Sequence, residues 1–133
     1  MTKFLPVAML PDSIDFLYEL LEEREPKQNI SHEKMPTYED HEAFVKSEPY
    51  KSWHIIEDNG VYVGAVYFTH RREIGVFIKK DYIGCGYGKD ALAFTEVTHG
   101  RPILANISFR NARSMVFFQK SGFEPLQMTW RLK

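Results

Sequence analysis

Hydrophobic positions along this 133-residue chain change period several times, and each change marks a predicted element. An apolar run over residues 5–9 reads as a first strand. Over residues 12–24, Ile14, Leu17, Tyr18 and Leu21 recur at helical spacing with charges elsewhere, which predicts an amphipathic helix. A polar, proline-containing stretch over 26–36 follows. Thr37, with Asp40 three residues on, then resembles a helix start, with Tyr38, His41, Phe44 and Val45 inward and Pro49 as its stop. Residues 53–57 and 61–69 are rich in β-branched and aromatic side chains. Asp58-Asn59-Gly60 joins them, and that turn chemistry predicts an antiparallel hairpin.

A turn at His70-Arg71-Arg72 leads into a third strand of the meander over 73–78. The period becomes helical over 86–98, Gly100 offers a stop, and 103–107 is a fresh apolar strand. A last helix over 111–121 carries Ser114, Phe117, Phe118 and Ser121 on one face; Gly122 stops it, and 123–132 returns as strand. A meander followed by crossovers predicts one α/β domain over residues 1–133, with a mixed, mostly antiparallel sheet of about six strands and flanking helices.

Composition narrows the partners. With 44% apolar and 26% charged residues and no low-complexity tract, the chain reads as ordered and globular. A formal net charge of -1, with acids and bases interspersed, supplies no basic stripe for nucleic acid. No segment reaches the roughly 20 apolar residues needed to span a bilayer. The stretch 4–10 is interrupted by Pro6 and lacks a small-residue cleavage site, so it fails as a signal peptide. The lone Cys85 cannot form an internal disulfide, which fits the cytoplasm and leaves the sequons at Asn29 and Asn106 as chance occurrences. His32, His41, His54, His70 and His99 show no ligand-like spacing, so no metal is expected.

The distinctive segment is Gly84-Cys85-Gly86-Tyr87-Gly88, between a strand and a helix. Glycines spaced by single residues expose successive amides at the positive end of a helix, where an anion such as a diphosphate binds. Each charge-assisted bond contributes roughly 1.5–3 kcal/mol. A glycine-rich turn that merely reverses the chain is the competing reading. A phosphate loop of the Walker type fails, because three residues rather than four separate Gly84 from Gly88 and Asp90 follows Lys89. The dinucleotide fingerprint fails by one residue in its last interval.

The whole run from Glu73 through Gly75, Lys79 and Tyr82 to Gly88 resembles the acetyl-CoA motif of the GNAT superfamily, nearest the branch of ribosomal-protein N-terminal acetyltransferases. Asn111-x-x-Ser114, followed by Lys120-Ser121-Gly122-Phe123, is similar to the superfamily's closing helix and next strand, at the expected spacing. The resemblance is specific over residues 53–123 and implies a GNAT-like acyl-CoA N-acyltransferase fold. It implies acetyl-CoA as donor and a primary amine as acceptor; the compact chain, with no obvious peptide-docking insertion, points to a small-molecule amine such as an amino sugar or polyamine, and a monomer or homodimer is expected. A protein N-terminus is the second acceptor. It further implies that Val76, Phe77 and Ile78 bond the cofactor arm as an added strand would. Ile83, Gly84, Cys85, Gly86, Tyr87, Gly88 and Lys89 would surround the pyrophosphate, and Asn111, Ser114 and Phe118 would line the thioester channel, with a place in the core the alternative for Phe118. Ile83 stands where many members carry Arg or Gln. Phe118 stands where many carry a catalytic tyrosine, which motivates a rival reading as a silent acyl-CoA-binding module.

Amines with pKa near 10 are mostly protonated at neutral pH, so acyl transfer benefits from a base. Glu73 is the candidate by position and by resemblance, beside the alternative of an exposed hairpin glutamate. A thiol pKa of about 8.5 makes an acid less necessary. His41 is a secondary base or a satisfied core histidine. Cys85 has no histidine placed near it by any motif and is rejected as a nucleophile. Gly75 either admits close approach of a ligand or marks a bulge. Asn111 caps its helix, contacts the cofactor arm, or does both. The Tyr87 side chain reads as packing, whereas Tyr62, Tyr67 and Trp53 form either a pocket wall or ordinary sheet packing.

Overall fold

A computed structural model describes residues 1–24 and 34–133; Asn29 and His32 lie outside the described residues. Strand β1, Thr2–Pro6, gives way to a single 3-10 turn, Val7–Met9, so the first strand sits earlier than its apolar run suggests. Helix α1, Ser13–Glu23, follows. Its Ser13 hydroxyl donates to the carbonyls of Val7 (3.0 Å) and Leu10 (2.9 Å), and this anchorage sets the helix rotation. Ser13, Phe16, Leu17 and Leu20 are therefore the buried face, and the stripe expected from Ile14, Tyr18 and Leu21 lies along its flank. In α2, Tyr38–Lys46, the Thr37 hydroxyl accepts from the Asp40 amide at 3.1 Å. His41 and Val45 point inward there, while Tyr38 and Phe44 stay partly exposed.

Strands β2 (Ser52–Asp58), β3 (Val61–Phe68) and β4 (Glu73–Ile78) form the expected meander. Positive φ at Asn59 (51°) and Gly60 (79°) gives the tight turn between the first two. Helix α3, Tyr87–His99, strand β5, Leu104–Ala105, and helix α4, Ala112–Lys120, complete the order. The sheet runs β1-β2-β3-β4-β5, antiparallel except for the parallel pair β4–β5. Phe16, Leu17, Leu20, Val45, Ile55 and Ala65 bury one face under α1 and α2. Ile56, Val66, Phe68, Ile74, Ala91 and Phe118 bury the other with α3 and α4.

Two strand expectations are corrected. The strand expected over 103–107 pairs only at Leu104–Ala105, and the one expected over 123–132 lies outside the sheet. Leu126, Met128, Trp130 and Leu132 keep a period-two alternation but are all exposed. A pleated pattern becomes a strand only against a partner edge, and β5 offers too short a one.

Candidate functional site

The site begins where two parallel neighbours part. The β4–β5 ladder matches Glu73 with Leu104 and Ile74 with Ala105, and goes no further. Bonds from the Thr69 amide to the Glu73 carbonyl (2.9 Å) and from the Lys79 amide to the Val63 carbonyl (2.9 Å) turn the odd-numbered backbone of β4 toward β3. By alternation, the N–H and C=O groups of Val76 and Ile78 face the opening gap, where the described β5 residues offer them no ladder partner.

The glycine loop follows β4 in the chain, separated from it by a 3-10 turn, Lys80–Tyr82, and leads into α3. Gly84 and Gly86 have φ of 86° and 91°, conformations that disfavour any side chain. The Ile83 and Cys85 amides bond to the carbonyls of Lys80 (3.4 Å) and Tyr82 (3.3 Å), and the first bond of α3 runs from the Asp90 amide to the Gly86 carbonyl (3.1 Å). Gly86 gives no side-chain cap. The amides of Gly84, Gly86, Tyr87, Gly88 and Lys89 are thus without a partner among the described residues, at the positive end of a 13-residue helix. The expectation of an amide cradle narrows accordingly, since Ile83 and Cys85 spend theirs within the loop. Gly88 has a different reason from its neighbours: a Cβ there would meet the Phe117 ring at 3.3 Å, whereas at Gly84 and Gly86 it would meet nothing within 4 Å.

Around the loop, the Tyr87 hydroxyl donates to Asp58 at 2.6 Å, a bond that pushes the phenol up to about 12 and ties α3 to the end of β2. Asn111 caps α4 by accepting from the Ser114 amide at 3.2 Å. Of its two readings, channel wall or core, Phe118 takes the packing expected of the second. It is 9% exposed and packs edge-on against Phe117 and Phe123, each at 5.0 Å, which makes it core.

Glu73 stands at the vertex where the strands diverge. Its carboxylate accepts from the Thr69 hydroxyl (3.2 Å), in the turn between β3 and β4, and from the Asn106 side-chain amide (2.6 Å), just past β5. It is not a free hairpin glutamate. Asn106, conspicuous in the sequence only as a sequon, is thus part of the site.

Gly75 is explained by neither sequence alternative. A Cβ at this position would lie 2.1 Å from the Tyr67 ring and 2.6 Å from its hydroxyl, so the ring itself fills the space. Gly75→Ala should destabilise the protein by about 1–3 kcal/mol through overpacking. Urea unfolding of the single and double variants checks this: in a Tyr67→Ala background the added methyl should cost almost nothing, and an equal cost in both backgrounds would exclude the explanation.

On the α1/α2 face a cavity of about 260 Å³ opens beside β4. Tyr50 stacks on Tyr67 (4.0 Å, 6°), Trp53 meets Tyr50 edge-on at 4.8 Å, and the Arg24 guanidinium lies 3.7 Å above the Phe77 ring. Burial pushes both phenols up. Trp53 and Tyr67 are therefore pocket wall, whereas Tyr62 packs against Phe16 and donates to Asp12 at 3.0 Å. His41 also lines the cavity. Its Nε2 donates to the Ile14 carbonyl at 2.9 Å, and burial lowers its pKa, leaving a neutral ring. Arg24 and Tyr50 carried no local sequence signal; distant contacts bring them here. Among the described residues no helix is long and apolar enough to cross a membrane.

The model of the acetyltransferase (GNAT) family matches residues 14–123. No curated protein matches the chain. Solved structures of the same fold include a domain from Methanocaldococcus jannaschii, with TM-score 0.74 and 19% identity over 97% of this chain and 92% of that one. Another is AAC(6')-Iy bound to the bisubstrate analogue CoA-S-monomethyl-acetylneamine, with TM-score 0.73 and 16% identity over 100% and 97%. A third is a ribosomal-protein-alanine N-acetyltransferase from Brucella melitensis, with TM-score 0.66 and 19% identity over 93% and 84%.

Proposed function

This chain belongs to the GNAT acetyltransferase family, and from that premise we propose that it is an N-acetyltransferase moving an acetyl group from acetyl-CoA to the primary amine of a small metabolite. The observation that carries the reading is the gap beyond Ile74 and Ala105, together with five amides, unpartnered among the described residues, in the loop that follows β4. The amides of Gly84, Gly86, Tyr87, Gly88 and Lys89 suit a diphosphate, and the free backbone edge of Val76 and Ile78 suits an amide-bearing arm added in the manner of a strand. Acetyl-CoA supplies an activated acetyl thioester.

The chain's own residues do the rest. Glu73 accepts the proton of the incoming ammonium, directly or through a water, and Thr69 and Asn106 hold its carboxylate at the vertex. Asn111 and Ser114 order the start of α4 beside the channel. No tyrosine is needed to protonate a thiolate whose parent pKa is about 8.5, so Phe118 is compatible with turnover. A neighbouring structure that holds a bisubstrate analogue supports a small-molecule acceptor. The lone, exposed cysteine fits a reducing cytoplasm.

CoA release with a panel of amines, amino sugars, amino acids and peptides tests the reading, and turnover of at least one amine is expected. Acetyl-CoA at 100 times its dissociation constant should add about 2.7 kcal/mol to stability. That shift without any turnover would instead establish a binding module.

A further inference from the structure

The acceptor cavity has a chemistry of its own. Most of its described wall is apolar or aromatic, with Phe44, Tyr50, Trp53, Tyr67 and Phe77 forming a continuous set of ring contacts. Asp40 is its single carboxylate among the described lining residues. An amino sugar or polyamine spreads several cationic or hydroxyl groups and would leave them desolvated against these rings.

Arg24 is the outlier in this wall. Its Nε is buried and unpartnered, and no described carboxylate lies within ion-pair distance. Its place is fixed from both sides. One residue earlier, Glu23 accepts the Lys80 amide at 2.9 Å and pairs with Lys79 at 3.6 Å, which clamps the last turn of α1 to the end of β4. The guanidinium face rests on Phe77, leaving its donor edge for an anion. A cation with a buried Nε and no carboxylate partner among the described residues is costly, so the site calls for an anion when occupied.

Position then restricts the anion. Phe77 lies between Val76 and Ile78, whose backbones border the gap, so a carboxylate on Arg24 sits beside the place where the amine must react. Amine and carboxylate must be close together in the acceptor. We propose that the cavity selects an α-amino acid with an aromatic or large apolar side chain, which fills the box of Tyr50, Trp53 and Tyr67 while Arg24 holds the α-carboxylate. A protein N-terminus lacks that carboxylate and would leave Arg24 unsatisfied. The inference rests on the acetyltransferase reading for the direction in which the amine points.

Calorimetric binding to the ligand-free protein and CoA release should be measured with tryptophan, phenylalanine, tryptamine, glucosamine, spermidine and a short peptide. Tryptophan or phenylalanine should bind and turn over with kcat/KM about 10- to 100-fold above tryptamine, the factor expected for charge-assisted bonds to one carboxylate. Arg24→Gln should raise KM for the amino acids and draw the tryptophan-to-tryptamine ratio toward one, whereas Arg24→Lys should retain part of the preference. An acetyl-CoA melting shift in each variant verifies that it is folded, and the wild-type ratio tests the idea without any variant. Equal use of tryptophan and tryptamine overturns the inference. Best turnover of spermidine, glucosamine or the peptide also overturns it, while leaving the acetyltransferase reading standing. Tryptophan binding without CoA release from any amine supports the pocket assignment and sinks the catalytic reading. Absence of amino acid binding and turnover refutes the pocket assignment.

Discussion

Replacing Glu73 by glutamine lowers the maximal rate on the order of a hundredfold or more and leaves acetyl-CoA affinity close to wild type. The substitution is nearly isosteric, so the donated bond from Thr69 survives at the remaining carbonyl oxygen and the fold is spared. What disappears is an acceptor for the ammonium's proton at the vertex between β4 and β5. The bond with Asn106 (2.6 Å) is also disturbed, because glutamine can present a second amide to it. Steady-state rates across pH, with acetyl-CoA binding measured separately, decide the matter. An unaltered rate profile in Glu73→Gln moves the base elsewhere, and His41, which lines the aromatic cavity on the α1/α2 face, is then the next residue to replace.

Gly86→Val should reduce acetyl-CoA affinity by at least about a hundredfold, the loss of one or two charge-assisted bonds. At φ 91° a β-branched residue is strained by about 1–3 kcal/mol, so the loop either relaxes and turns its amides away or holds its shape and stands methyl groups in front of them. The surrounding protein has room for the added atoms, because an ideal Cβ meets nothing within 4 Å. The same change at Gly88 acts through another route. Its Cβ presses on Phe117 at 3.3 Å, so Gly88→Val should appear first as a loss of stability from disturbed α3–α4 packing. Calorimetry with CoA, alongside urea unfolding, separates the two. Micromolar binding by a folded Gly86→Val variant would end the idea of an amide cradle.

Local signals in the chain were read correctly where the physics is local. The strand over 73–78, the turn at Asn59-Gly60 and the caps at Thr37 and Asn111 each depend on neighbours within a few residues, and each is found in place. The rotation of α1 was misread by one position because hydroxyl bonds from Ser13 to Val7 and Leu10 set it, and apolar spacing is blind to them. The tail strand failed for a complementary reason: alternation at Leu126, Met128, Trp130 and Leu132 states which face would be buried but not whether an edge exists to bury it against.

The site divides along the same line. The glycine loop and Glu73 are candidates that spacing and family resemblance single out. Asn106, Arg24 and Tyr50 are not, because their roles arise from contacts dozens of positions away, as between Asn106 and Glu73 or Arg24 and Phe77. Gly75 is the clearest instance: the side chain that requires its smallness belongs to Tyr67 on the neighbouring strand.

The parting of β4 from β5 has a consequence for the handling of the protein. A row of backbone donors and acceptors at Val76 and Ile78 with no strand beside it among the described residues is, chemically, an aggregation-prone edge located inside the sheet. Under the proposed reading, the cofactor arm screens this edge against stray extended segments. The chain's colloidal behaviour is then coupled to nucleotide supply, with the depleted protein the more adhesive form and the loaded one the form that stays dispersed.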